Sequence, residues 1–214
     1  MNDESTRKKI LMTAGPIFAE RGFQGATVRD ISEAAEVNLA SINYYFGDKQ
    51  KLYVEVIRAA RDSQGGSSAF EGLHTQVPPA ILLEKFINVL LKKLGIGVEP
   101  DWKMQLLVSE FLSPGEACKE IVEEYFRPYF ELLLGIIDRL AGGNLSDAER
   151  LRMGFSLIGQ CLHYRLAGPI IRMFVNAEQF SEEFDNETLA KHIARFTIGG
   201  VKSLVEQSKA STVT

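Results

Sequence analysis

Residues 27–46 read TVRDISEAAEVNLASINYYF. Thr27, with Asp30 three positions on, has the form of a capping box, in which a hydroxyl and a carboxylate satisfy the first free backbone donors of a helix. Ile31, Ala34 and Ala35 fall on the inner side of that helix. Asn38 is a fair N-cap for a second helix over Leu39 to Tyr45. Ile31, Val37 and Ile42 supply the apolar anchors that seat it. A helix, a tight turn and a second short helix packed by small residues form a helix-turn-helix. Two readings are open for this stretch: an ordinary pair of core helices, or a reader of double-stranded DNA.

The side chains favour the second reading. Asn38, Ala40, Ser41, Asn43 and Tyr44 are small or hydrogen-bonding and uncharged, which suits approach to base edges in a major groove. Gly47 breaks the chain, and Asp48, Lys49 and Lys51 open a further helix. Its first N–H groups, with a lysine beside them, suit a phosphate. Phe46 is expected to turn into the core, with the Tyr44 and Tyr45 hydroxyls directed at the duplex backbone.

Outward from this stretch, helical periodicity prevails and strand signals are almost absent. Ile10, Ala14, Ile17 and Phe18 give a one-faced helix from Thr6 to Arg21, with Pro16 inside the pattern and Gly22 as its stop. The helix opened by Asp48 runs to about Arg61, with Leu52, Val56 and Ile57 on one side. SQGGSSAFEG, from Ser63, is Gly/Ser-rich and reads as a loop between two units. Further helices are predicted at Pro79–Leu94, Trp102–Leu112, Glu116–Ala141 (interrupted by Pro128), Ser146–Val175 (containing Pro169) and Asn186–Gln207. The fold class is therefore all-α, an N-terminal three-helix helix-turn-helix domain followed by a C-terminal helical bundle. The expected division is residues 1–50 and 51–214, with a linking helix at about 48–61.

The 214 residues carry 24 basic and 28 acidic side chains, a net charge of −4. Residues 1–61 hold nine basic groups against eight acidic ones, and the rest fifteen against twenty, so the segment with the motif is the less acidic one. Arg7, Lys8 and Lys9 form a small basic arm. Only Cys118 and Cys161 are present, which excludes a disulfide scaffold and fits a reducing cytosol. The polar start MNDESTRKKI is no signal peptide, and the apolar runs at Ile81 and Leu132 are too short to span a bilayer. A cytoplasmic chain with no membrane partner is expected. His74, His163 and His192 are scattered, and Cys161-x-His163 lacks the second pair of a zinc site. Gly95-x-Gly97 and Gly142–Gly143 lack the rest of a phosphate loop. No catalytic residue, cofactor or metal is expected.

The run from Arg7 through Ile57, above all ATVRDISEAAEVNLASINYYFGDKQKLYVEVI, resembles the DNA-binding domain of the TetR/AcrR family of bacterial transcriptional regulators. The resemblance implies that Thr27 and Arg29 touch phosphate, that Asn38, Ala40, Ser41, Asn43 and Tyr44 face the groove, and that Tyr45 and Lys49 grip the backbone. For Tyr45 a partly buried packing role stands beside that one. Glu36 occupies the turn where family members commonly have glycine, at a cost of about 1 kcal/mol if the backbone there is left-handed. Leu39–Ala40 replaces the usual Lys–Gly at the start of the second helix, which bears on the operator sequence and not on the fold.

LLVSEFLSPGEA, YFRPYFELLLGII and LIGQCLHYRLAGPIIRMF resemble the C-terminal domain of the CecR type within that family, linked to antibiotic and multidrug response. Ser109 stands where an arginine is expected before the glutamate. Read physically, Gly159, Leu162 and Leu166 with Leu189, Ile193, Phe196 and Gly200 give two helices whose apolar faces suit a two-fold, four-helix interface, or alternatively an intramolecular core. A palindromic operator needs a two-fold reader, which favours a homodimer. Trp102, Gln105, Glu110, Tyr125, Tyr129, Phe155, His163, Tyr164 and Met173 are the candidates to line a pocket for a small apolar or amphipathic effector of antibiotic or drug-like kind. The expectation is a ligand-responsive regulator, a repressor released from its operator by a small molecule. The rival is a helical enzyme or ligand-sequestering protein that uses the motif only for packing.

Overall fold

The computed structural model describes residues 3–63, 77–96, 101–115, 119 and 122–212, without the side chains of Arg61, Ser63, Tyr125, Ser211 and Thr212. The loop expected from Ser63 to Gly72 therefore falls outside the described residues beyond Ser63, as do His74, Gly97 and Cys118. The described elements are helical: α1 (Asp3–Gly25), α2 (Val28–Ala34), α3 (Leu39–Phe46), α4 (Lys49–Ser63), α5 (Pro79–Lys93) and α6 (Trp102–Leu112). A π-helical turn (Val122–Phe126) then leads into α7 (Arg127–Ala141), followed by α8 (Asp147–Phe174), α9 (Ala177–Glu183) and α10 (Asn186–Thr212). Packing divides the chain into two compact units, residues 1–66 with 99–126 and residues 67–98 with 127–214. That line differs from a cut at residue 50, because α4 and α6 both pack on α1.

In the first unit, Ile10, Ala14 and Phe18 of α1 meet Ile31 of α2, Ile42 and Phe46 of α3, Leu52 and Val56 of α4, and Leu106 of α6 in one buried cluster. The helix boundaries follow local chemistry. Pro16 sits inside α1 on its exposed side, where the lost backbone bond is tolerated. The helical geometry then breaks at Gly22, whose φ of 68° suits a residue without Cβ. Gly47, at φ 83°, ends α3 in the same manner. Trp102 of α6 packs against Gly15, where a Cβ would come within 2.2 Å of the ring. Glycine is what lets α6 sit this close to α1.

The second unit is assembled around Leu83, Phe86 and Ile87 of α5, Leu133 and Ile137 of α7, Leu157 of α8, and Ile193 of α10. Gly154 admits Phe130 and Leu134 of α7, since a Cβ there would stand 2.9 Å from each. Ser146 and Glu149 close a capping box at the start of α8. Three features depart from the periodicity, the first being the helix expected at Glu116–Ala141, where a π-helical turn over Val122–Phe126 precedes α7 from Arg127. The last helix continues past Gln207 to Thr212. The seven-residue α9 was not anticipated; its own capping box, Asn176 with Gln179, was the signal for it. So short a helix shows no readable period, and it is held by burial of Phe180, over which Arg172 lies at 3.8 Å.

Candidate nucleic-acid interface

The helix-turn-helix is built from its caps. The Thr27 hydroxyl accepts the Asp30 N–H at 3.0 Å and donates to the Asp30 carboxylate at 2.7 Å. That hydroxyl holds the Asp30 carboxyl below its ordinary value of 3.8. At the other end of α2, Glu36 takes the left-handed conformation, φ 51°, that the turn demands. Lys9 of α1 pairs with the Glu36 carboxylate at 3.0 Å and lowers its pKa. Asn38 then accepts the Ala40 N–H at 3.0 Å and starts α3.

These constraints orient α3. Ile42 and Phe46 are buried in the first unit, at 0% and 6% exposure, so the opposite side of the helix, with Ala40, Asn43 and Tyr44, points outward. Asn38, Ala40 and Asn43 are exposed, Ser41 is half-buried, and Tyr44 is 76% exposed. Phe46 turns inward as expected, with the Arg7 guanidinium 5.2 Å from its ring centre. An uncharged, solvent-facing strip one helix long, fixed on a packed base, has the dimensions and chemistry of a major-groove probe.

The flanking donors are placed differently from simple projections into solvent. Tyr45 is half-buried, and its hydroxyl donates to Asp3 Oδ1 at 2.5 Å, a bond that raises the phenol's pKa. Its ring stands edge-on to Tyr44 at 5.0 Å. Thr27 is exposed, though its hydroxyl is engaged in the capping box. Arg29 is exposed and pairs with Glu33 at 2.9 Å. The Lys49 ammonium rests 4.5 Å from the Phe23 ring centre, and Asp48 caps α4 by accepting the Lys51 N–H at 2.8 Å. The expected basic arm is part of α1, where Arg7 pairs with Glu55 at 2.6 Å and Lys9 with Glu36. Sequence reasoning missed Asp3, Glu36 as the partner of Lys9, and Glu55. Their partners lie 27 to 48 positions away in the chain, so no local pattern marks them.

The expected effector residues are distributed over both units. In the first, Trp102 packs on Gly15 and Gln105 is exposed. Glu110 is buried and accepts hydrogen bonds from the Tyr53 hydroxyl and, at 3.3 Å, from the Gly115 N–H. In the second, Tyr129 is half-buried with the Lys93 ammonium 5.9 Å from its ring centre. Burial lowers the pKa of that lysine. Phe155 is 60% exposed, with its ring 4.5 Å from Phe130. His163 is exposed and meets half-buried Tyr164 edge-on, and Met173 is 83% exposed. The Tyr125 side chain lies outside the described residues. A cavity of about 470 Å³ in the first unit is lined by other residues, Arg7, Phe46, Lys51 and Arg58 among them. Among the described residues no group of His, Cys, Asp and Glu could hold a metal ion, and no helix is long and apolar enough to cross a membrane.

The residues expected to pair two chains also divide. Leu189 and Ile193, at 3% and 0% exposure, belong to the second unit's own core, because α10 turns that face onto α5. Gly159, Leu166 and Phe196 are exposed, while Leu162 and Gly200 are half-buried, Gly200 under Met153. Along α8 the exposed residues Leu151, Phe155, Gly159, Leu166, Ile170 and Met173 recur at three- and four-residue intervals, or sums of them, on one face.

Comparison with known proteins agrees with this architecture. Residues 10–56 match the family described as bacterial regulatory proteins, tetR family. Residues 79–201, more than half of the chain, match the C-terminal domain of the HTH-type transcriptional dual regulator CecR. The CecR regulator of Shigella flexneri is 27% identical over 202 residues, covering 89% of this chain and 90% of its own. The RutR regulator of Escherichia coli K12 is 22% identical over 197 residues, covering 92% and 90%. Among solved structures, the hemolysin II transcriptional regulator HlyIIR superposes with a TM-score of 0.64 at 22% identity, over 91% of this chain and 98% of its own. AibR, crystallised with isovaleryl coenzyme A and operator DNA, superposes with a TM-score of 0.62 at 15% identity, over 89% and 97%. The family and these relatives are regulators of transcription, not enzymes. The chain belongs to the TetR family of bacterial regulatory proteins, carries a C-terminal domain of the CecR type, and is a DNA-binding regulator of transcription.

Proposed function

We propose that two copies of the chain form a cytoplasmic homodimer that sets α3 of each protomer into successive major grooves of a palindromic operator, about 34–36 Å apart. The observation that carries this is the division of α3 into a buried side, Ile42 and Phe46, and an exposed uncharged side, Asn43 and Tyr44. Ala40 and Ser41 allow the helix to enter closely, and Asn38 starts it. Thr27, Arg29, Tyr45 and Lys49 fix the register on phosphate, a role that positions without specifying sequence. Function divides at about residue 50, with residues 51–214 serving effector binding and pairing of the chains and the helix at about 48–61 acting as the link.

The apolar strip on α8, with Phe196 of α10, supports pairing, because a soluble chain rarely leaves a continuous apolar face of this length uncovered. The effector is a small apolar or amphipathic molecule, in keeping with the drug-response linkage of the CecR type and with aromatic candidates such as Tyr129, Phe155 and Tyr164. It releases the operator by binding more tightly to a form in which the two recognition helices no longer fit one duplex. A coupling of about 1–3 kcal/mol gives several-fold to hundredfold release.

The test is binding of the purified chain to the intergenic DNA beside its gene. Asn43→Ala with Tyr44→Ala is expected to abolish the preference for that DNA over an unrelated duplex while leaving helical content unchanged. Retention of both affinity and preference would show that α3 is not the reading element.

A further inference from the structure

One of the groups assigned to the duplex backbone is already engaged within the chain. The hydroxyl of half-buried Tyr45 donates to the carboxylate of Asp3 at 2.5 Å, across 42 positions of chain. Asp3 is exposed and lies in the first turn of α1, and among the described residues this contact is what engages its side chain. A carboxylate oxygen accepting a phenol O–H has the charge and the geometry of a phosphate oxygen doing the same. A backbone phosphate cannot share the position, since two anionic oxygens a hydrogen-bond length apart repel. The pattern recurs on the same unit, where Glu33 holds Arg29 at 2.9 Å and Glu36 holds Lys9 at 3.0 Å.

We propose that Asp3 is an internal stand-in for phosphate, occupying the Tyr45 hydroxyl in the free protein and giving way to the operator backbone on binding. The proposal rests on the assignment of α3 to the groove. Its consequence is a contact exchanged on binding and not a contact newly made, so DNA affinity is lower than the number of donors on the face implies. Exposed charged contacts of this kind are weak enough for a phosphate to displace. Because phosphate is common to all duplexes, the exchange lowers affinity for operator and unrelated DNA by the same factor.

The experiment is a double-mutant cycle on the full chain, read as affinity for the intergenic duplex and for an unrelated duplex of equal length. Asp3→Asn keeps the shape of the side chain and removes its charge. It is expected to tighten binding to both duplexes about three- to fivefold, the factor a released exposed contact is worth. In the Tyr45→Phe background, which lacks the hydroxyl in dispute, most of that gain is expected to vanish. Tyr45→Phe is expected to cost about three- to fivefold more in the Asp3→Asn background than in the native chain. An equal gain from Asp3→Asn in both backgrounds would reduce the effect to long-range charge and overturn the proposal, and so would no gain at all. The Asn43→Ala/Tyr44→Ala chain separates this from failure of the groove assignment. If that chain loses its preference for the intergenic duplex while Asp3→Asn does nothing, only the stand-in is refuted. If it keeps affinity and preference, both fall.

Discussion

Glu36 shows how much one position of a turn can hold. Its φ of 51° is the left-handed region that costs a side-chain-bearing residue about 1–2 kcal/mol. Its carboxylate recovers part of this through Lys9, although both side chains are well exposed and the pair is correspondingly weak. Comparing two variants that both lack the carboxylate removes the ion pair from the question. Glu36→Val is expected to be about 1–2 kcal/mol less stable than Glu36→Gly by urea midpoint, because β-branching at positive φ is disfavoured further. Equal stability of the two would show that the turn relaxes out of the left-handed region. The conformation was legible from sequence once a glycine was expected there; the partner was not, because Lys9 reaches it from another helix.

At the scale of elements, the caps decide where helices begin, and they carry a pH signature. The Thr27 hydroxyl holds Asp30 below its ordinary 3.8, and the Ser146 hydroxyl holds Glu149 below its ordinary 4.5. A carboxylate with a depressed folded pKa binds fewer protons in the folded chain than in the unfolded one. Its contribution is therefore complete above the ordinary carboxylate range and is lost as pH falls through the depressed value. Asp30→Asn is expected to lower the melting temperature at pH 7, and the gap to the native chain is expected to close as pH falls below the ordinary carboxylate range. Thr27→Ala removes the hydroxyl itself and is expected to cost about 1 kcal/mol at neutral pH. A gap for Asp30→Asn that does not change with pH would assign the effect to side-chain shape. Helices opened by such caps, α2, α3 and α8, were readable in the sequence almost to the residue. The far end of α10 was not, since polar residues beyond Gln207 carry no period, and α9 was too short to show one.

For the whole molecule, the sequence announced two helices with apolar faces but not which face was already covered. Ile193 and Leu189 lie in the chain's own core, and Phe155, Leu166 and Phe196 lie outside it. The two sets are expected to fail differently. Phe155→Glu with Leu166→Glu should yield a monomer in equilibrium sedimentation with helical content intact. Ile193→Ala should instead unfold the chain earlier by about 2–5 kcal/mol. A Glu variant that stays dimeric would remove the α8 strip from the interface. The first unit also draws on two separate pieces of chain, residues 1–66 and 99–126, with Leu106, Leu107 and Trp102 completing its cluster. A ribosome that has released the entire helix-turn-helix has therefore not yet delivered the helix that covers it. The nascent protein has to carry its DNA-reading end half-clothed until Trp102–Leu112 clears the exit tunnel.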